Sequence, residues 1–179
     1  FVALHGFEWS NPLLGHINII NSEDYTGTLR TFSIPSIYAW IQERPESFAR
    51  FNHPGDYDVT GQEFSHFRLF PGMVDQMVGL ELWNGSNSFD DYHYTGSWES
   101  HYGYFDVGNR EGWRLGALGA QDNHQGEWGT KNDFRTAVLA KELTHEAIMD
   151  AYRHRRFYST EDKDLMLDFR CNGYPMGSR

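Results

Sequence analysis

The sequence predicts an α/β fold built on a largely parallel sheet, either open or closed into a barrel. Two observations carry that expectation. Short runs rich in β-branched and aromatic residues alternate with helical patterns or long polar loops along most of the chain. Side chains able to bind a cation recur at the ends of those runs, where such folds collect their chemistry.

Taken in order, "VALHGFEW" (2–9) reads as a strand closed by the turn-forming "SNP", and "HINII" (16–20) as a second. A polar loop, "NSEDYTGT", follows. "SIPSIYAWIQERPES" (33–47) reads as a helix: Ser33 is an N-cap, Pro35 sits in the first turn, and Ile37, Trp40 and Ile41 share a face. Pro45 ends it, because proline cannot continue the helical hydrogen bonds.

"FARFNHPG" (48–55) is a strand running into a turn, and "MVGLELWNG" (77–85) an apolar strand stopped by Asn-Gly. Residues 56–77 carry little signal. Within 86–113 a helix is expected around 98–111. Strands follow at 113–122 and 135–140, separated by a loop over 123–134. "THEAIMDAYRHRR" (144–156) is a helix capped by Thr144, with arginines near its C-terminus where they favour the dipole. "FYST" and "LMLDFRCNG" (165–173) read as strands, the second ending in a hairpin-type Asn-Gly.

Composition narrows the function. With 25 acidic against 15 basic residues, the net charge is −10, which disfavours a nucleic-acid surface. Cys171 is the only cysteine, so thiolate clusters and intrachain disulfides are excluded and any metal is held by nitrogen and oxygen. No apolar run is long enough for a membrane-spanning helix. The chain opens on "FVALHGFEW" and stops at "NGYPMGSR", which reads as a piece of a longer protein.

The candidate ligands are Glu8, His16, His53, Asp122 and His124. Glu8 lies near the end of the first strand and His16 opens the second. His53 ends the third, before Pro54-Gly55, and Asp122 ends the 113–122 strand. Asp122 and His124 are two apart, so an extended backbone puts them on one side. Singly, each has an ordinary role: a solvated Glu, a turn at "NHPG", a capping Asp. His5, His66, His93, His101, His145 and His154 have no comparable placement and read as surface or packing residues.

The ordered set "GFEWS…GHINII…FNHPG…LELWNG…GAQDNH" resembles the latter part of the PHP (polymerase and histidinol phosphatase) phosphoesterases. Within them it is most similar to the CehA/McbA-like metallohydrolase branch, over about residues 1–160. The resemblance implies a distorted seven-stranded (β/α) barrel, with residues 161–179 starting a β-rich appendage. It implies two or three divalent ions (Zn, Mn or Fe). Glu8 would bridge two of them, His16 and His53 would complete one, Asp122 would bind the other, and His124 a third. The His-x-His opening of the family has no counterpart here, since His5 is the only histidine before Glu8.

The implied reaction is hydrolysis of a small-molecule phosphate ester, without a Ser10 or Cys171 nucleophile. Secreted or periplasmic location goes with that branch, and oligomeric state is open. Arg135 is the candidate phosphate contact, and Trp9, Trp83 and Trp128 are candidate pocket walls or packing rings. Two alternatives stay open: a carbamate or amide hydrolase on the same metal site, and a carbohydrate-binding module built on 6 Trp and 10 Tyr.

Overall fold

The computed structural model describes residues 1–55, 62–85 and 103–178. Strands β1 (Gly6–Asn11) and β2 (Gly15–Ile20) form an antiparallel hairpin that sets Glu8 opposite Asn18 and Ser10 opposite His16. The Asn11 side-chain oxygen closes the connection by accepting the Leu13 and Leu14 N–H groups, each at 3.0 Å. Gly15 is required at its position. Its φ is +87°, and a Cβ there would stand 2.6 Å from the Phe64 ring. Gly15→Ala is expected to cost about 1–3 kcal/mol through that strain and to disturb the neighbouring His16, as thermal unfolding and the His16 ring resonances would report.

Strand β3 (Phe48–Asn52) pairs antiparallel with β2, placing Asn52 opposite His16. Strands β4 (Met77–Asn84) and β5 (Gly116–Ala120) continue the sheet in parallel, in the order β1-β2-β3-β4-β5. Strands β6 (Arg135–Val138) and β7 (Phe157–Thr160) make a separate antiparallel pair lying against β5. Strands β8 (Arg170–Cys171) and β9 (Tyr174–Pro175) form a small exposed hairpin. Asn172 and Gly173 at its turn both have positive φ, as a two-residue hairpin loop needs.

This architecture corrects the expected α/β class and the seven-stranded (β/α) barrel. Among the described residues strands dominate, the main sheet has five of them, and only β3, β4 and β5 run parallel. The reason lies in the connections. Residues 12–14 are too few for a crossover, so β1 and β2 must be antiparallel. The chain over 21–47, despite its helix, returns to the sheet end it left, because Ile20 faces Phe48. A helix between two strands in sequence therefore did not make them parallel. The strand expected over 165–173 shortens to the two residues of β8.

Helix α1 (Ile34–Gln42) is shorter than the 33–47 pattern, since Pro45 disfavours helical backbone at Arg44. Its start is fixed by a capping box: the Ser36 N–H donates to Ser33 Oγ at 3.3 Å, and the Ser33 N–H donates to Ser36 Oγ at 3.0 Å. Ser33→Ala should lower stability by about 1 kcal/mol, measurable by urea denaturation. Helix α2 (Tyr104–Arg110) falls within the helix expected at 98–111, whose first residues, 98–102, lie outside the described ones. Helix α3 (His145–Arg153) begins after Thr144, whose hydroxyl accepts the Ala147 N–H.

The sheet has two unlike faces. One buries Trp9, Ile17, Ile19, Ala49, Phe51 and Leu80 against α1, Phe64, Phe67 and Trp113. Alternation puts Glu8, Ser10, His16, Asn18, Arg50 and Asn52 on the other. That second face becomes apolar farther from the strand ends, where Phe48, Val78 and Leu118 pack with Met149 and Phe157. Glu8 and His16 thus stand on strands whose opposite face is packed against the core.

Candidate metal centre

The C-terminal ends of β1, β3, β4 and β5 and the start of β2 lie at one edge of the sheet. At this edge Glu8, His16 and His53 converge, with one ligand atom from each lying within 4.8 Å of the others. Glu8 Oε1 is 3.4 Å from His16 Nδ1 and 3.7 Å from His53 Nε2. The two imidazoles meet edge to face with centroids 4.8 Å apart. Residues 8, 16 and 53 are distant in the chain, and the hairpin and the β2–β3 pairing bring them together.

The carboxylate is oriented from both sides. Asn52 Nδ2 donates to Glu8 Oε1 at 2.6 Å, and Ser10 Oγ donates to Oε2 at 2.9 Å. Burial pushes the Glu8 carboxyl up, but hydrogen bonds from His16, His53, Asn52 and Ser10 outweigh it and hold the group well below the usual carboxylate range. Glu8 is therefore an anion at neutral pH. Exposure falls from Glu8 (33% of the side chain) through His16 (13%) to His53 (5%), so the group opens to solvent on the Glu8 side.

Glu81 lies beneath His53. It is buried in the middle of β4, and its Oε2 accepts the His53 backbone N–H at 3.0 Å and the Asn84 Nδ2 at 2.7 Å. Arg50 Nη2 stands 3.3 Å from the other oxygen. His53 itself has φ +26°, in the left-handed region that a non-glycine residue seldom adopts. Sequence reasoning missed Glu81 and Asn52. A lone acid inside the apolar run "MVGLELWN" was the available signal for Glu81, because a buried carboxylate needs assigned partners.

The donor set fits a divalent cation. Four ligands set tetrahedrally around zinc at about 2.0–2.1 Å stand about 3.4 Å apart, close to the separations between Glu8 and the two imidazoles. An ionised carboxylate with two imidazoles is also the nitrogen and oxygen chemistry that Zn, Mn and Fe accept.

The remaining candidates lie elsewhere. Asp122 follows β5 at the same sheet edge, two strands beyond β3, and has φ +44°. At about 4.8 Å per strand that is roughly 10 Å along the edge. Asp122 and His124 are not in the three-residue cluster; His124 Nδ1 lies 3.7 Å from Asp122 Oδ1 and 3.0 Å from the Asp122 carbonyl. Arg135 donates to the Gly129, Asn132 and Phe134 carbonyls and so shapes the preceding loop.

Trp9 is a core ring whose Nε1 donates to Thr31. Trp83 packs against Phe134, and Trp128 is exposed. Ser10 serves Glu8, and Cys171 is an exposed thiol. Among the histidines set aside, His145 meets Asn21 and His154 sits at the C-terminus of α3. His93 and His101 lie outside the described residues. No helix among the described residues is long and apolar enough to cross a membrane.

No family model matches the chain, and no curated protein matches it. Among solved structures, it is similar to the crystal structure, at 2.20 Å resolution, of a two-domain protein from Bacteroides vulgatus ATCC 8482 containing a predicted PHP-like metal-dependent phosphoesterase. The match has a TM-score of 0.59 at 21% identity. It covers 89% of this chain and 44% of that protein, so the two share a fold over a stretch that is less than half of the larger molecule.

Proposed function

We propose that this chain carries a metal-dependent hydrolase centre that cleaves phosphate mono- or diesters of small molecules. The observation that carries the reading is the convergence of Glu8, His16 and His53 on one point at the sheet edge. The shared fold with a protein containing a predicted PHP-like metal-dependent phosphoesterase supports the choice of reaction. In this reading residues 1–160 are the hydrolase unit and 161–179 belong to a β-rich extension.

When bound, a divalent ion supplies Lewis acidity and a hydroxide available at neutral pH. The chain's own residues do the rest. Glu8 provides a negative charge and His16 and His53 imidazole nitrogens as ligand atoms. Asn52 and Ser10 keep the carboxylate from rotating away. Asp122, farther along the same edge, would serve a second ion and His124 a third where one is present, giving a centre of two or three ions of Zn, Mn or Fe. Because the group opens to solvent on the Glu8 side, a substrate would approach from β1.

The test is metal content together with turnover of a nitrophenyl phosphate monoester, a diester and a nitrophenyl carbamate. Phosphoester turnover that a chelator abolishes and metal restores is expected. Preference for the carbamate would replace phosphate by a carbonyl substrate on the same site, and folded protein with neither metal nor turnover would remove the hydrolase reading. Asp122→Asn should reduce the metal bound per chain and cut turnover more than about 10-fold without lowering the melting temperature of the metal-free protein.

A further inference from the structure

We infer that Glu81 is a positioning residue for the centre, acting on His53 through its backbone and not through the imidazole. This rests on the metal-centre reading above. Three features point to it. Glu81 is 1% exposed in a strand that is apolar apart from it and Asn84, a costly place for a carboxyl group that packing alone would fill with leucine. Its Oε2 accepts the N–H of His53, the residue whose φ of +26° is unfavourable and must be held by its surroundings. Asn84 and Arg50, in turn, fix the carboxylate: Asn84 Nδ2 donates to the same oxygen at 2.7 Å and Arg50 lies 3.3 Å from the other.

The linkage is directional. The strand bearing Glu81 runs parallel to β3, so its side chain meets the point where β3 leaves the sheet and turns into Pro54-Gly55. Holding the His53 N–H there orients the Cα–Cβ bond and thereby sets the ring beside Glu8. Without that bond the turn is free to relax to an ordinary φ, which would swing His53 Nε2 away from its 3.7 Å approach to Glu8. Arg50 pairs with the Glu81 oxygen that the His53 N–H does not use, so the two roles can be separated.

Glu81→Leu removes the acceptor and keeps the volume. Glu81→Gln keeps an oxygen for His53 and gives up the charge pair with Arg50. Arg50→Met removes the pair and leaves the His53 bond. The measurements are zinc affinity of the full chain by competition with a chromophoric chelator and the ring-nitrogen resonances of His53 in the metal-free protein. Zinc binding about 10–100-fold weaker in Glu81→Leu, with Glu81→Gln and Arg50→Met within a few-fold of wild type, is expected. The His53 resonances should move in Glu81→Leu alone.

Should Glu81→Leu not fold, Glu81→Asp withdraws the acceptor by one methylene and is expected to weaken zinc and shift the same resonances. Unchanged affinity and resonances in Glu81→Leu, or equal losses in Glu81→Leu and Arg50→Met, would overturn the inference and leave Glu81 a packing residue. If the wild type takes up no zinc, the metal-centre reading fails, while the His53 resonances still decide the role of Glu81.

Discussion

Glu8→Gln is expected to abolish metal binding at the Glu8–His16–His53 cluster and to lower phosphoester hydrolysis by more than about 100-fold, the upper range for losing a mere supporting partner of a metal ligand. The substitution keeps size and shape. It removes the charge that opposes the cation and replaces one acceptor oxygen by an amide, which repels the Asn52 or Ser10 donors that now orient the carboxylate. Linkage gives a second reading of the same event. An ion that binds only the native state stabilises it by about 2.7 kcal/mol at a concentration 100 times Kd. Wild type should therefore melt higher with metal than without, and Glu8→Gln or His53→Ala should show a clearly smaller metal-induced rise. Glu43→Gln, an exposed carboxylate outside the cluster, should behave as wild type. Equal metal-induced shifts in wild type and Glu8→Gln would place the ion elsewhere.

Phe51→Ala is expected to cost about 3–5 kcal/mol. Phe51 is fully buried on the sheet face away from the cluster and meets Phe64, Phe67 and Trp113 with centroid separations of 4.7, 5.1 and 5.7 Å. These rings come from two separate chain segments, around 64–67 and at 113, so no single neighbour can move in to fill the space. For a chain of this length the loss corresponds to a fall of roughly 6–20 °C in Tm. Because Asn52 and His53 follow directly, the same substitution should loosen metal binding, but only through a smaller folded fraction. Leu13→Ala, at an exposed position in the β1–β2 turn, should change stability by less than about 0.5 kcal/mol. A small effect at Phe51 would mean that the core repacks and that the sheet is less rigid than its aromatic contacts imply.

Glu8, His16 and His53 could be read from the sequence because each stands at the boundary of a short apolar run, and strand ends in one sheet meet at one edge. Strand direction could not be read. The lengths of the connections, not the alternation of elements, decide it, and the tight turn after Asn11 forces an antiparallel start that a barrel of parallel strands does not have. Asp122 and His124 do approach each other, at 3.7 Å, but across a turn in which Asp122 has φ +44° and not along the extended backbone expected; β5 also lies two strands from β3, and no spacing in the sequence reports that distance. Glu81 was hidden for a related reason. Its importance comes from a hydrogen bond to a backbone 28 residues away, and only the β3–β4 register makes that contact. Helix starts, in contrast, were local and legible: Ser33 and Thr144 cap where their side chains said they would.

Anomalous diffraction from zinc- or manganese-loaded crystals puts the ion itself under test. A peak bonded to a Glu8 oxygen, His16 Nδ1 and His53 Nε2 is the expected result. A loaded crystal with its only peaks away from these three side chains would contradict the account.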